Sequence, residues 1–337
     1  PSMSPWSWSA MRRVCATWAG RRGTRRQDLF ASDLASPAPI RLDVSSLTST
    51  HPSKTARPTV IFGPDVSVPV EPLATLWRHR KLVTRFARND AIGRYRGSAL
   101  GLTWSFLNPL LMLGVFTIVF STVFRGARFG GDGLPDRPAV LLIFCGMTVF
   151  GVFTEVLTRA PTMILAHPNY VKKVVFPLEI LPLALVGSAL FHATVGLLIL
   201  AVGTILLGQP LSWTVLLLPL VLIPLAFFSA GIGWFFASLG VFARDLGHVV
   251  GVISQALFFL TPVVFPFQAI LDNAPLVASI LEWNPLKIAV DEARMVLVWG
   301  QLPNFTSLGV FFVLSVVTAW FGFAWFQKTR RGFADVL

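Results

Sequence analysis

Six long apolar segments constrain this chain more than any other feature of its sequence. Each is about 20 residues or longer, the length that a helix needs to cross the ~30 Å hydrocarbon core of a bilayer. Because lipid offers no partners to backbone N–H and C=O groups, such segments should be helical. The alternative, a buried core helix of a soluble protein, rarely recurs six times in one chain. The six predicted spans are Leu102–Phe124, Ala139–Leu157, Leu178–Leu207, Val215–Phe242, Val249–Ile270 and Ser307–Phe326. The predicted fold class is therefore an all-α integral membrane protein.

The composition agrees with a membrane protein whose helices have basic flanks. Hydrophobic residues make up 54% of the chain and charged residues only 13%, which is about half the charged fraction of a soluble domain. The net charge of +12 is compatible with nucleic-acid binding, but basic residues also flank the cytoplasmic ends of membrane helices. We therefore predict contacts with membrane lipids and no nucleic-acid partner.

The charges of the connections predict how the chain is oriented. The N-terminal flank, the second connection and the C-terminal tail are basic, which favours the cytoplasmic side. The third connection (208–213) is uncharged and the fifth (272–304) is net acidic, so both should lie outside. We expect a multi-pass protein of the cell (inner or plasma) membrane with both termini in the cytoplasm.

The segment before the first span divides into two parts. Residues 1–70 are rich in Ser, Thr, Pro and Arg without apolar periodicity, which is typical of disorder. Residues 71–101 mix apolar and aromatic side chains with arginines and one lysine, so we predict an amphipathic helix in the membrane interface. A solvated cytoplasmic helix is the alternative. Residues 102–337 form the predicted transmembrane domain.

Prolines divide the second and fifth connections into short elements. Two prolines bracket Thr162–His167, which has the length of a one- or two-turn helix that suits docking to a partner. An ordinary loop with lysines at lipid headgroups is the alternative. The fifth connection is apolar but interrupted, so we predict two short re-entrant or interfacial helices between spans five and six. Their approximate bounds are Pro275–Trp283 and Pro285–Trp299.

The sequence lacks the common motifs for nucleotide binding and catalysis. No Lys follows a Gly anywhere, which excludes a P-loop, and neither a His-Glu-x-x-His nor a Gly-x-Ser-x-Gly motif occurs. We predict no catalytic residue, metal site or cofactor on this chain. Glu155 and Arg159 lie four residues apart and predict a local ion pair. For His192 we predict an interhelical hydrogen bond.

Several ordered motifs resemble one family. Residues 94–104 (RYRGSALGLTW), followed by residues 108–110 (NPL), are similar to the start of the first span in ABC-2-type permeases. These permeases are the membrane subunits of polysaccharide and teichoic-acid ABC exporters. Residues 169–182 (NYVKKVVFPLEILP) are similar to the segment after that family's second span. Further matches in order are Arg244-Asp245-Leu246, Thr261-Pro262-Val263, Asn284-Pro285-Leu286 and Phe333-Ala334-Asp335. The resemblance covers about residues 73–337 and leaves residues 1–70 unmatched.

The resemblance implies a homodimeric permease that works with two separate ABC ATPase subunits. ATP and Mg²⁺ would then bind to the ATPase partner, and the cargo would be a lipid-linked glycan, usually carried on undecaprenyl diphosphate. An ABC-2 permease for a drug, an antibiotic or a lipid is an alternative. A second alternative is an intramembrane enzyme acting on polyprenyl-linked sugars. Its only candidate residues are Asp291 and Glu292 with Arg294, which we interpret as a solvated helix face.

Three sets of residues carry the predicted function. ATPase docking is assigned to the amphipathic helix 73–98 and the loop 161–173, through Thr162, Met163, Ile164, Leu165, Ala166, His167, Tyr170, Lys172 and Lys173. The cargo's diphosphate is expected at Arg88, Arg94 and Arg96, because guanidinium groups bind phosphate bidentately; anchoring to anionic lipid is the alternative. The glycan pathway is assigned to spans one and five, through Trp104, Ser105, Asn108, Ser254, Gln255, Phe258, Phe259 and Thr261. Helix-to-helix packing is the alternative for that third set.

Overall fold

A computed structural model describes residues 77–122, 128–131, 134–168, 170, 176–264, 279 and 281–336. Within these ranges the protein is a bundle of long apolar helices with one small hairpin. The predicted N-terminal extension (1–70) and the docking candidates Lys172 and Lys173 lie outside the described residues.

The helices follow the predicted apolar segments closely. The first, α1 (Arg80–Gly93), lies in the predicted amphipathic region and buries Val83 and Ala91. The longer elements that follow are α2 (Trp104–Thr122), α3 (Ala139–Met163), α4 (Ile180–Leu206), α5 (Leu218–Phe242), α6 (Leu246–Leu260), α7 (Pro285–Arg294), α8 (Phe305–Thr329) and the short α9 (Phe333–Val336). Single helical turns at Gly101–Thr103, Trp213–Leu217, Met295–Trp299 and Arg330–Gly332 extend several of them.

Five helical segments among the described residues are long and apolar enough to cross a membrane. They are Gly101–Thr122, Ala139–Met163, Ile180–Leu206, Trp213–Phe242 and Phe305–Gly332. At the position of the fifth predicted span the structure has the shorter apolar helix α6. At 1.5 Å per residue α6 is about 22 Å long, less than the ~30 Å of a bilayer core. Its last residue is Leu260, and the extended Thr261 and then Pro262 follow. Proline lacks the N–H for a further helical bond.

The helix α3 occupies the centre of the bundle. It packs against α2, α4, α5, α6 and α7, and most of its apolar side chains are fully buried. The tightest crossing lies between α5 and α8, where a Cβ added at Gly322 would come within 2.0 Å of the Gly231 carbonyl oxygen. Glycine at both positions is what lets these two backbones touch.

One end of the bundle carries a concentration of basic residues, and we call it the basic end. Here α3 ends, α4 begins, and the C-terminal end of α8 places Arg330 2.9 Å from the buried carboxylate of Glu179. Glu179 also accepts, through its backbone carbonyl, a hydrogen bond of 2.9 Å from the indole of Trp234 on α5. These contacts join α4, α5 and α8 at this end.

The connection between α2 and α3 contains a hairpin that the all-α prediction did not include. Strand β1 (Arg128–Gly131) pairs antiparallel with β2 (Leu134–Pro138). The Arg128 guanidinium donates to the Asp136 carbonyl at 2.7 Å, and Arg137 donates to the Gln209 side chain at the end of α4. The hairpin thus closes the end of the bundle opposite the basic end.

The predicted short helix at Pro285–Trp299 is present as α7 followed by a π-helical turn. Asn284 caps its first turn by accepting from the Leu286 N–H at 2.9 Å. The helix α7 inserts between α3, α5 and α8. The other predicted short helix, Pro275–Trp283, falls mostly outside the described residues.

Arg294, at the end of α7, is fully buried, so the interpretation of this region as a solvated helix face is wrong. Its guanidinium donates to three backbone carbonyls, those of Leu142 at 3.0 Å, Pro262 at 2.7 Å and Val263. These carbonyls belong to the start of α3 and to the chain that follows α6. Arg294 therefore joins the start of α3 to the segment that follows α6, whereas the carbonyl at the end of α6, that of Leu260, accepts from the Asn284 side chain at 2.9 Å.

Candidate functional site

Five titratable side chains from α1, α3 and α4 meet at the basic end, and we call them the charge cluster: Asp90, Arg94, Glu155, Arg159 and His192. The guanidinium of Arg159 donates to both carboxylate oxygens of Asp90, at 2.6 and 2.8 Å. Glu155 accepts from Arg94 and from Arg159, the latter at 3.2 Å. His192 Nδ1 lies 3.2 Å from the second oxygen of Glu155. The cluster therefore ties α1 to two spans.

The neighbouring arginines keep the Asp90 carboxylate charged. Burial acts to raise the pKa of Asp90, but the hydrogen bonds and charge of Arg159, with the charge of Arg94, hold that pKa below its usual value. At neutral pH the two arginines and two carboxylates cancel, so the cluster adds no net charge to a region of low dielectric. Charges near apolar spans are tolerated when paired in this way.

The predicted local pair and the predicted interhelical bond are both present in the charge cluster. Glu155 and Arg159 form the i, i+4 pair, and His192 bonds across from α4 to α3. The sequence argument did not find Asp90, which lies 69 residues from its partner Arg159. Its one local sign was the same four-residue spacing, since Arg94 follows Asp90 by four positions.

A cavity of about 280 Å³ opens between α2, α3 and α4, and Glu155 and His192 form part of its wall. Asn108 and Thr148 are its other polar lining residues. The remaining wall is apolar, contributed by Pro109, Met112, Phe116, Phe144, Met147, Gly151, Val152, Ala189, Ala193 and Gly196. A mostly apolar recess with a few polar groups is the usual form of a small ligand site.

The predicted pathway residues do not share one surface. On α2, Asn108 lines the cavity, Trp104 is half-buried, and the buried Ser105 hydroxyl donates to the Leu102 carbonyl at 2.7 Å. On α6 and just after it, Ser254 and Thr261 are buried, whereas Gln255 and Phe259 face outward. Phe258 packs edge-on against Phe150 of α3, with ring centroids 5.8 Å apart.

The predicted docking loop is partly a continuation of α3. The structure has no separate helix at Thr162–His167, because α3 runs through Pro161 to Met163 and ends in a turn over residues 164–166. Pro161 is tolerated inside this helix although it lacks an N–H. Ile164 is fully buried, Met163 and Leu165 are half-buried, and Thr162, Ala166 and His167 are exposed.

An aromatic cluster joins this loop to α1. The ring of Tyr170 stacks on His167, with centroids 5.6 Å apart, and on Phe176 at 4.8 Å. Phe86 of α1 meets Tyr170 at 5.9 Å and Phe176 at 5.3 Å. The two segments predicted to dock an ATPase are therefore neighbours and form one surface.

The three predicted diphosphate ligands differ in their surroundings. Arg94 is engaged by Glu155. Arg88 and Arg96 are exposed, and the structure shows no side-chain hydrogen bond or ion pair for either within the described part of the chain. No group of three or more His, Cys, Asp or Glu side chains able to hold a metal ion occurs in that same part.

Comparison with known proteins identifies the kind of membrane protein to which this site belongs. Residues 82–298 match the family described as ABC-2 type transporter, which is well over half of the chain. This chain belongs to the ABC-2 type transporter family. The matched range runs from α1 to the turn after α7, so it contains the charge cluster, the cavity and the docking loop.

Several curated proteins of this family are similar to the chain over nearly their whole length. The O-antigen export system permease protein RfbA of Myxococcus xanthus is 28% identical over 260 residues, which is 77% of this chain and 96% of that protein. The protein of the same name from Klebsiella pneumoniae is 26% identical, covering 76% and 95%. The polysialic acid transport protein KpsM of Escherichia coli is 26% identical, covering 75% and 91%. The chain is thus a membrane permease, the transport subunit in this family.

Proposed function

We propose that the chain is the permease of an ABC exporter that moves a lipid-linked polysaccharide across the cytoplasmic membrane. ATP hydrolysis in a separate ATPase subunit, which binds ATP and Mg²⁺, drives the transport. The observation that carries this proposal is the similarity to O-antigen and polysialic acid transport proteins over 91–96% of their lengths. The apolar spans of the structure are consistent with this role.

Complementation tests the proposed function. The chain is expressed with the ATPase encoded beside it in a strain that makes an O-antigen but lacks its own permease and ATPase. Surface polysaccharide should appear with both subunits and should be missing when either one is expressed alone. If lipid-linked glycan stays inside while a drug or a lipid is exported, the alternative ABC-2 permease is correct.

The basic end of the bundle is proposed to face the cytoplasm. Arg330 and Arg331 at the end of α8 lie there together with the arginines of α1, as the positive-inside rule requires. This orientation puts both termini in the cytoplasm and lays α1 at the inner membrane interface, where its basic side chains meet anionic lipid. The hairpin β1–β2 then faces outside.

The surface formed by α1 and the turn after α3 is proposed to dock the ATPase. Its exposed members Thr162, Ala166 and His167 stand beside the aromatic cluster that fixes the loop against α1. Because the aromatic cluster already holds the loop in place, ATPase binding has less loop to order, which lowers the entropic cost of binding. Lys172 and Lys173, the other predicted docking residues, lie outside the described part of the chain.

The combined substitution of Ala166→Arg and His167→Asp should abolish docking without unfolding the permease. Both side chains are exposed, whereas a deletion of Thr162–His167 would also remove the buried Ile164. We expect co-purification of the ATPase to fall about tenfold or more, as when a central contact of an interface is lost. Arg331→Ala, at an exposed position of the same end, is the matched control. Normal ATPase binding by the double variant would place docking elsewhere.

Arg88 and Arg96 are proposed to receive the diphosphate of the cargo at the inner leaflet, while Arg94 belongs to the charge cluster. The variants Arg88→Lys and Arg96→Lys keep the charge but remove the guanidinium that binds phosphate bidentately. We expect export by the double variant to fall about fivefold with unchanged membrane association, measured as surface glycan per permease. Undiminished export would leave lipid anchoring as their role.

A second copy of the chain is proposed to face α2 and α6, so that the glycan passes between protomers. These two helices expose long apolar faces, including Leu110, Leu111 and Val115 of α2 and Val252 and Phe259 of α6. Within the described chain, α2 has substantial contacts only with α3, with α4 and with the helical turn that precedes it. Such faces are either lipid-exposed or covered by another protomer.

Single alanine substitutions of the neighbouring residues Phe258 and Phe259 should distinguish a role in the glycan pathway from a role in helix packing. Phe259 is 77% exposed, whereas Phe258 packs on Phe150. Phe258→Ala should lower the unfolding free energy by about 1–3 kcal/mol, less than the loss for a fully buried ring. Phe259→Ala should leave stability unchanged but lower export. If Phe259→Ala leaves both export and dimerisation at wild-type levels, that ring is not part of the pathway.

A further inference from the structure

The four charges that join α1 to α3 follow an alternating pattern. Asp90 of α1 precedes Arg94, the residue that directly follows α1 in helical conformation, by four residues, and on α3, Glu155 precedes Arg159 by four. The pairs run in opposite directions, with Asp90 against Arg159 and Arg94 against Glu155. Because four residues are about one helical turn, the charges stand near the corners of a rectangle in which each neighbour has the opposite sign.

This alternation favours one register of α1 along α3. A slide of α1 by one turn in one direction would bring Arg94 opposite Arg159. A slide in the other direction would bring Asp90 opposite Glu155. Either shift replaces an attraction with a like-charge contact, which costs free energy wherever the charges are shielded from water. The side chains are 15–35% exposed, so the penalty is only partly screened.

The helix α1 packs mainly along α4 and has at most marginal backbone contact with α3 within the described chain. Its buried residues are Val83 and Ala91. Against α4, the small Ala87 faces Gly187, where an added Cβ would lie 2.8 Å from the Ala87 Cβ, and Phe86 contacts the rings of Tyr170 and Phe176. The four charges are therefore what joins α1 to α3 and selects the register between these two helices.

We propose that Asp90, Arg94, Glu155 and Arg159 form a register lock, which makes α1 and α3 move as one body. Phe86 of α1 contacts the docking loop, and Glu155 of α3 lines the cavity. A displacement at the docking surface is thereby transmitted to the wall of the cavity. The four residues act as positioning residues for transport, and this functional part of the inference rests on the proposed function.

Two charge-exchange variants separate register from attraction. The pair Asp90→Arg with Arg159→Asp makes both charges on α1 positive and both on α3 negative, so all three registers become attractive. Adding Arg94→Asp and Glu155→Arg restores the alternation with every sign reversed, so one register is again favoured. All arms carry His192→Gln, because an amide can donate to a carboxylate or accept from a guanidinium at position 155.

Cross-linking of α1 to α4, which packs against α3, reports a slide of α1. Cysteines replace Ala87 and Gly187 in a background with Cys15→Ser and Cys145→Ala. Their Cβ atoms must part by roughly 1 Å to reach disulfide geometry, whereas a one-turn slide of about 5.4 Å puts them out of reach. The two-residue exchange should lower the cross-linking yield about two- to threefold as the population spreads over three registers. The four-residue reversal should restore it.

Transport should follow the same order. With ATPase co-purification unchanged, the two-residue exchange should reduce export about tenfold. The four-residue reversal should recover part of it, because Glu155→Arg also changes the wall of the cavity. The proposal is overturned if the two-residue exchange cross-links and exports like the arm with native charges, or if the reversal does no better than the exchange. If the charges only attracted α1 to α3 without selecting a register, the two-residue exchange would cross-link and export like the arm with native charges.

The two readouts also distinguish failure of the lock from failure of the proposed function. If the unsubstituted chain and its ATPase export no glycan, the proposed function is wrong, yet the cross-linking order still tests the register. If that chain exports glycan and the cross-linking yields of all three arms are equal, the lock alone is wrong.

Discussion

Arg294→Leu should destabilise the permease by about 3–5 kcal/mol, the cost of removing one partner from a buried charged network. The substitution leaves the carbonyls of Leu142, Pro262 and Val263 without the donor that they share in the structure. Each buried and unsatisfied carbonyl costs about 1–3 kcal/mol. Because these carbonyls belong to the start of α3 and to the segment after α6, the loss should loosen α6 and α7 together.

Thermal unfolding of the purified protein in detergent measures this effect. Arg294→Lys keeps the charge but replaces the planar guanidinium with a compact ammonium group that cannot reach all three carbonyls. The stability of this variant should therefore lie between those of the wild type and Arg294→Leu. Arg331→Leu serves as the control at an exposed arginine, where changes stay within about 0.5 kcal/mol. A melting temperature of Arg294→Leu equal to that of the control would contradict the role of Arg294 in joining these elements.

Gly322→Ala should be nearly as damaging, although it adds a single methyl group. The new Cβ would lie 2.0 Å from the carbonyl oxygen of Gly231 on α5. The obstacle is backbone within a helix, so no side-chain rotation relieves it, and the expected loss is about 3 kcal/mol or more. The contact between α5 and α8 should open, which yields less folded protein in the membrane.

Gly309→Ala on the same helix is the matched control for this prediction. A Cβ at Gly309 meets nothing within 4 Å, and alanine is favoured over glycine inside a helix by about 0.5–1 kcal/mol. Both substitutions replace glycine with alanine, but Gly322→Ala should lower the stability and Gly309→Ala should raise it. Equal yields and melting temperatures for both variants would show that α5 and α8 are not held by this close approach.

Hydropathy and local spacing predicted the parts of this structure that depend on neighbours in the sequence. The five long spans follow directly from apolar length. The helix at Pro285–Trp299 was predictable because Asn284 and Pro285 form a start signal for a helix. The pair of Glu155 and Arg159 was predictable because one helical turn brings them together.

Features that depend on distant parts of the chain were not predictable in the same way. In the sequence, Arg294 close to two acidic residues resembles a solvated helix face. It is a buried donor in the structure because the carbonyls of Leu142 and Pro262, 152 and 32 residues away in the chain, lie against its guanidinium. The partnership of Asp90 with Arg159 spans 69 residues. The passage of α3 through Pro161 was likewise not predicted, whereas the end of α6 before Pro262 follows from a local signal, since proline lacks the N–H for a further helical bond.

The helices α2 and α3 are both apolar spans, but packing within one protomer constrains their sequences to very different degrees. In the most apolar window of the segment Gly101–Thr122 only 6% of residues are buried, against 72% in that of Ala139–Met163. Most positions of α2 are therefore free of packing constraints within one protomer, and a restriction found there would report the cargo or the second copy proposed to face this helix. Positions of α3 should accept few changes, because five neighbouring helices surround it. Saturation mutagenesis should accordingly lower the amount of folded protein mainly at α3, whereas sensitive positions of α2 should lower dimerisation or export.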